Sequence, residues 1–371
     1  MTRGLALSSS AARASLAGVA LAMALAFAAK MSSAGLTVLG PAGGVPVSAV
    51  VLAVLLGIAW RNTFGVSSRF EPGVQLVAQR VLRLGIALVG LRLTLAGMAS
   101  VGPIAITVAA GCLATALLVG VSVGRLLGLP RGFAQLLALG TAVCGCTAVA
   151  AAAPVLRARP ADTGMALTCV VVLGSAGMLL YPWLADALFR GDATAAGIFL
   201  GTAIHDTSQV MGAAMIYAQQ FGVPDAVPIA GFTKLLRNLS MLVLIPLAAM
   251  AARRDGPDPD AARKGTGATP IHQAIPGFLL AFVLLALLRT AGDAVLGGTA
   301  AETAWSGIVA VALTASDLLL VCGMTAVGLS VSLRDVQTLG WRALIAAVVV
   351  ALAVACVSLL AISCLSAGSS L

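Results

Sequence analysis

Eleven apolar runs, joined by short polar segments, decide what this chain can fold into. They lie at 14–34, 45–60, 76–98, 101–123, 132–156, 161–184, 193–217, 226–250, 273–290, 304–330 and 341–365. A helix needs about 20 mostly apolar residues to span the roughly 30 Å hydrocarbon core of a bilayer, and most of these runs reach that length. The runs are continuous and rich in Ala and Leu, whereas a membrane β-barrel needs short alternating strands. Hydrophobic residues make up 60% of the chain and charged residues 9%, against about 25% charged in a soluble domain. The expectation is an all-α polytopic membrane protein with about 9–11 transmembrane segments.

Other classes fall away on the same grounds. There is too much apolar side chain for a disordered segment. The seven cysteines lie inside apolar runs without the spacing of a disulfide framework. The net charge of +9 does not mark nucleic-acid binding, because the basic residues form no patch interleaved with aromatics. They lie mostly at the ends of apolar runs, where the positive-inside rule puts them.

Those charges orient the chain. The polar stretch 251–273, with Arg253, Arg254, Arg263 and Lys264 beside three aspartates and three prolines, reads as a cytoplasmic linker. It divides an N-terminal membrane part, 1–250, from a C-terminal one, 274–371. Arg61 and Arg69 mark a second cytoplasmic loop, Arg125 and Arg131 a third, and the uncharged Pro41–Gly44 loop faces out, which gives a cytoplasmic N-terminus. If 132–156 crossed fully, Arg157 and Arg159 would lie opposite Arg125 and Arg131. Charge bias therefore favours a segment that enters and returns, with 193–217 doing the same from the other side. A plain crossing stays open, since 25 residues span easily.

The two odd segments also resemble each other. Gly140-Thr141-Ala142-Val143 is matched by Gly201-Thr202-Ala203-Ile204, and each continues through small or polar residues to a valine. A second echo joins Leu84–Gly102 to Cys322–Gly340, although the two echoes do not fit one tandem order. Oppositely inserted, interrupted segments are how inverted-repeat transporters build a site at the membrane midplane. Interrupted backbone survives in hydrocarbon only where protein or a wet cavity surrounds it, and a new helix N-terminus suits an anion. Small residues that permit close helix packing are the competing explanation.

Ionisable residues inside apolar runs sharpen this. His205 and Asp206 are adjacent in mid-segment, and an intramembrane carboxylate usually faces a cavity or a partner. The pair can carry a coupling proton or sodium ion. Alternatively, Asp206 caps a half-helix and His205 donates to a carbonyl. Thr207, Ser208 and Gln209 follow within one turn as candidate substrate donors. Lys234 and Arg237 share one helix face. They can bind an anion, pair with Asp206, or reach an interface. Arg92 and Asp317 can pair with each other or line the route. Enzyme signatures such as H-E-x-x-H, a P-loop or G-x-S-x-G are missing. Cys144 and Cys146 form only a C-x-C, more typical of structural thiols than of a metal site.

Four stretches resemble a known family. They are Gly140-Thr141-Ala142-Val143-Cys144-Gly145 with Thr147–Ala151 and Ala153-Pro154, then His205-Asp206-Thr207-Ser208-Gln209-Val210, then Lys234-Leu235 with Arg237, then Gly90-Leu91-Arg92-Leu93. Together they resemble the YeiH-type sulfate-exporter family of bacterial inner-membrane proteins, over roughly positions 30–365. Cys146 departs from the small non-cysteine residue that this pattern carries there. The resemblance implies a multi-span permease, distantly similar to inverted-repeat transporters of the bile-acid symporter kind.

The sequence thus leads to a secondary transporter, an exporter, of a small anion such as sulfate or another sulfur oxyanion or sulfonate, with no cofactor and no metal. Candidate substrate residues are Gly140, Thr141, Cys144, Gly145, Thr147, Thr202, His205, Thr207, Ser208, Gln209, Lys234, Arg237 and Arg92. His205, Asp206 and Asp317 are candidates for the coupling ion. The lipid bilayer is one partner and a second copy of the chain another; nucleic acid is none. A passive anion channel is the first alternative, and an intramembrane enzyme or thiol sensor built on Cys144, Cys146 and His205 the second.

Overall fold

A computed structural model of the chain describes residues 2–39, 47–254 and 277–368, and every regular element among them is helical. In chain order these are α1 (Thr2–Leu39), α2 (Ala49–Thr63), α3 (Glu71–Leu76), α4 (Leu82–Val89), α5 (Leu95–Leu126), α6 (Arg131–Ala142), α7 (Cys146–Val155) and α8 (Pro160–Phe189). Then follow α9 (Ala193–Ala203), α10 (Thr207–Phe221), α11 (Ala226–Leu239), α12 (Met241–Arg254), α13 (Gly277–Leu296), α14 (Glu302–Leu329), α15 (Leu333–Thr338) and α16 (Trp341–Gly368). A π turn at Val77–Val81 joins α3 to α4, and a 3-10 turn at Gly90–Arg92 ends that helix.

Among the described residues, seven stretches are long and apolar enough to cross a membrane: Ser15–Leu36, Glu71–Arg92, Leu95–Leu126, Pro160–Phe189, Ala226–Ala248, Glu302–Leu329 and Trp341–Leu365. Three apolar helices are shorter, namely α2, α7 and α9. The protein is an all-α, multi-pass membrane protein. The run read as 76–98 stops earlier, because Leu93 is extended (φ −105°, ψ 145°) and a new helix starts at Leu95.

Most of the linker expected at 251–273 lies outside the described residues, so the division of the chain there follows chain order alone. By packing, the chain forms two compact units that interleave along the sequence. Unit 1 is Met1–Leu95, Met211–Pro228 and Ala281–Leu333; unit 2 is Ala96–Val210, Ile229–Leu280 and Arg334–Leu371.

Unit 1 shows why glycine matters where lipid is as apolar as leucine and close backbone approach drives association. A Cβ on Gly323 of α14 would lie 2.6 Å from the Leu82 Cβ of α4, and one on Gly85 of α4 would lie 3.1 Å from the Leu319 Cβ of α14. The echo between Leu84–Gly102 and Cys322–Gly340 therefore joins two helices packed on each other through matching glycines. Gly323→Val is expected to cost about 1–3 kcal/mol by overpacking, read as a lower melting temperature in detergent. Gly307→Ala on the same helix, where nothing lies within 4 Å, should leave it unchanged.

In unit 2 the chain from α6 to α7 is a hairpin. A Cβ on Gly132, at the start of α6, would lie 3.5 Å from the Ala158 Cβ beyond the end of α7. A single helix through both would hold those residues roughly 39 Å apart, at about 1.5 Å per residue. The apolar cores agree: Phe133, Leu136 and Leu137 of α6 share a buried cluster with Val149 and Ala152 of α7.

The second interruption has the opposite sense. Gly201 near the end of α9 faces Ala230 and Thr233 of α11, while Ile204 and His205 just beyond face Lys234. The helices α9 and α11 therefore run in the same direction, and the chain between them has to return to the side where α9 began. Ser240 alone separates α11 from α12, and Leu244, Ile245 and Ala248 of α12 pack on the Phe133 cluster at the foot of the first hairpin. Within unit 2, one nearly continuous helix, α11–α12, thus passes both interruptions, which α6 and α9 reach from opposite ends.

Candidate functional site

Each hairpin breaks for a local reason. After α6, Val143 leaves helical geometry (φ −116°, ψ −103°) and Gly145 sits at φ 63°, ψ −120°, a conformation that side-chain-bearing residues resist. Its N–H donates to the Gly140 carbonyl at 2.9 Å, closing the turn. After α9, Ile204 is extended (φ −92°, ψ 144°). The Asp206 carboxylate then accepts from the Ser208 N–H at 2.9 Å and from its hydroxyl at 2.5 Å, which starts α10 as a helix N-cap does. The tips meet, because a Cβ on Gly145 would lie 3.1 Å from both Cβ and Oδ2 of Asp206. Gly145→Ala is accordingly expected to lower stability by about 1–3 kcal/mol through backbone strain, measurable as a drop in melting temperature.

Two buried cations tie the tips together. Lys234 Nζ donates to the carbonyls of Val143 (3.0 Å), Ile204 (2.9 Å) and His205 (2.5 Å). Arg237 donates through Nε to Ala142 (2.8 Å), through Nη1 to Thr202 and Ile204, and through Nη2 to Thr141. Their exposures are 0% and 1%. An unpaired buried charge costs several kcal/mol. Here each cation meets carbonyls at the C-terminal ends of α6 and α9, where the helix dipole is negative.

The charge balance leaves an excess. Lys234 and Arg237 supply two positive charges and Asp206 one negative. The C-terminal ends of α6 and α9 contribute about −0.5 each and the N-terminal ends of α7 and α10 about +0.5 each. The neighbourhood sums to about +1 with His205 neutral. It also holds buried polar atoms without a partner among the described residues: Thr141 Oγ1, His205 Nδ1, Gln209 Oε1, Thr233 Oγ1 and Asn238 Oδ1. Each such atom costs about 1–3 kcal/mol if left dry. Thr141 and His205 belong to the tips themselves and call for water or a ligand there, whereas Gln209 Oε1 turns to Gly174 of α8.

Residues 17–347 match a family model described as conserved hypothetical protein 698. The chain belongs to that family. Its relatives include the UPF0324 membrane protein RSc1111 of Ralstonia nicotianae, 35% identical over 68% of this chain and 70% of the relative. Atu0671 of Agrobacterium fabrum is 32% identical over 80% and 79%, and TauZ of Paracoccus denitrificans 34% identical over 80% and 82%; both bear the same UPF0324 description. Membership accords with the family resemblance carried by the tip motifs.

In this UPF0324 protein the tip residues fall into distinct positions. Thr141, Cys144, Gly145, Thr202, His205, Thr207 and Gln209 are buried, whereas Cys146, Thr147, Asp206 and Ser208 are half-buried and form the accessible part of the crossing. Gly140 packs on Val149 inside the first hairpin, and Cys144 Sγ lies 3.7 Å from Met241 Sδ. Thr202 shares a 2.7 Å hydrogen bond with Ser358 of α16. Gln209 Nε2 donates to Val171 O (2.9 Å) and Ser175 Oγ (3.1 Å) of α8. Asp206 takes the cap role weighed against an ionic one. His205 lends its carbonyl to Lys234.

Arg92 and Asp317 are not part of this cluster. Both belong to unit 1, where Arg92 Nη2 donates to Asp317 Oδ1 at 2.7 Å, the first of the two roles open to them. Sequence reasoning missed Asn238, whose Nδ2 donates to Thr207 Oγ1 at 3.2 Å. Its i+4 spacing from Lys234 places both on one helix face, so a signal existed. Ser358 and Ser175 carried none, since nothing in a serine within an apolar run says which helix it will meet.

Proposed function

We propose that this family member is a secondary transporter exporting a small anion across the bacterial inner membrane, with its N-terminus in the cytoplasm. Sulfate, another sulfur oxyanion or a sulfonate is the candidate substrate. The observation that carries this reading is the net positive balance where two oppositely entering hairpin tips meet around unpartnered polar atoms. Preorganised backbone dipoles suit a compact anion with several acceptor oxygens. The donors of Lys234 and Arg237 are spent on carbonyls and those of Ser208 on Asp206, so in this reading the two cations set the field and hold the tips, and direct contacts fall to Thr147 and the N–H groups opening α7. Arg92, paired within unit 1, is set aside as a substrate ligand.

Asp206 is the proposed site for a coupling proton, because it is the carboxylate at the crossing and is accessible. His205 ranks behind it, and Asp317, tied to Arg92, behind both. The reading is tested by solid-supported-membrane currents of reconstituted protein, screened across oxyanions and sulfonates at two pH values. A saturable current for one of these anions, changing with pH, is expected. No current with any of them contradicts the reading, and an unsaturating current that follows the gradient alone replaces it with a channel. Cys144→Ala should transport normally; loss of flux with the fold intact would favour thiol chemistry instead.

A further inference from the structure

Lys234 makes an arrangement with its own consequence. An ammonium group has three N–H donors and no lone pair, and the carbonyls of Val143, Ile204 and His205 take all three. A neutral amine would offer two donors and turn its lone pair toward the third oxygen. The acceptors are main-chain oxygens from both hairpin tips, set where the chain leaves α6 and α9. In transporters with interrupted helices, oxygens of this kind, on unwound backbone at half-helix C-termini, hold a free coupling cation. Arg237 does not compete for the place. Its donors go one step back along both chains, to Thr141, Ala142 and Thr202, with a longer fourth contact to Ile204 at 3.3 Å.

We infer that Lys234 is a resident cation filling a carbonyl cage made by Val143, Ile204 and His205, so that the crossing needs no free alkali-metal ion, and that removing this side chain exposes a latent site for a monovalent cation. The lysine acts as a positioning residue. It joins two chain ends that otherwise present their negative poles to each other, and being covalently attached it costs no ion-binding equilibrium. The inference goes beyond the anion reading and depends on no flux measurement, so a protein that fails the oxyanion screen can still pass the test below.

The test compares thermal unfolding of purified full-length protein in choline, sodium, potassium and propylammonium chloride at equal ionic strength. Propylammonium is the fragment that Lys234→Ala removes, whereas choline has no N–H donor and is too large for the cage. Wild-type protein should melt at the same temperature in all four salts. Lys234→Ala should melt lower in choline and regain about 4 °C or more, saturably, in propylammonium, with a smaller recovery in sodium or potassium. Saturable stabilisation of the wild type by sodium or potassium overturns the inference, as does a folded variant that melts identically in every salt. If Lys234→Ala is lost during purification in choline, recovery of monodisperse protein when propylammonium is present throughout supports the cage. Equal loss in both salts counts against it.

Discussion

Arg237→Met is expected to be the most damaging single substitution in the protein. Methionine keeps much of the volume and apolar stem but offers no donor to the carbonyls of Thr141, Ala142, Thr202 and Ile204, which Arg237 now satisfies. Removing one partner of a buried charged network typically costs about 3–5 kcal/mol, a large share of the roughly 5–15 kcal/mol that stabilises a native fold. The yield of monodisperse protein after extraction should therefore fall severely, with Arg237→Lys recovering part of it through one or two restored donors. Arg342→Met, which removes an exposed guanidinium 5.4 Å from the Trp341 ring, should extract like the wild type. A well-behaved Arg237→Met protein would mean that water, not arginine, satisfies the ends of α6 and α9.

Asp206→Asn should separate charge from architecture. Asparagine caps a helix about as well as aspartate, so the bond from the Ser208 N–H survives and the melting temperature should stay close to that of wild type. Flux should nevertheless fall by about 100-fold or more, equivalent to about 2.7 kcal/mol on the barrier, because the accessible carboxylate is gone. Asp206→Ala should lose the cap as well, adding about 0.5–2 kcal/mol of destabilisation. Asp192→Asn is the matched control. Its carboxylate caps the opposite end of the same hairpin, accepting from Thr194 N at 2.8 Å and Ala195 N at 3.0 Å, and its replacement should leave transport intact. Undiminished flux in Asp206→Asn would remove Asp206 from the transport cycle.

Much of the fold was legible in the chain because a bilayer is a strict solvent. Long apolar runs had to be helices. The mirrored motifs at Gly140 and Gly201 were also readable, since a glycine and a threonine followed by small or polar residues set these two runs apart from the others, although a plain span stayed open for them. What the sequence did not disclose was the use made of Lys234 and Arg237. Two buried cations suggest an anion site until their partners are known, and those partners are main-chain carbonyls, which every residue has and no residue type announces. The pairing of Arg92 with Asp317 across 225 positions was conceivable, but a competing role on the substrate route fitted the sequence equally. The interleaved units escaped notice because chain order alone does not say which distant runs pack together.

Labelling of single cysteines with a membrane-impermeant maleimide tests the opposed hairpins most directly. In a cysteine-free background, Leu126→Cys and Ala161→Cys flank the first hairpin, and Ala193→Cys and Asp225→Cys flank the second. Two hairpins of opposite sense require Leu126→Cys and Ala161→Cys to react from one face of the membrane and Ala193→Cys and Asp225→Cys from the other. Reaction of Ala161→Cys from the face opposite Leu126→Cys would show the first segment crossing outright, and the meeting of the two tips would have to be abandoned.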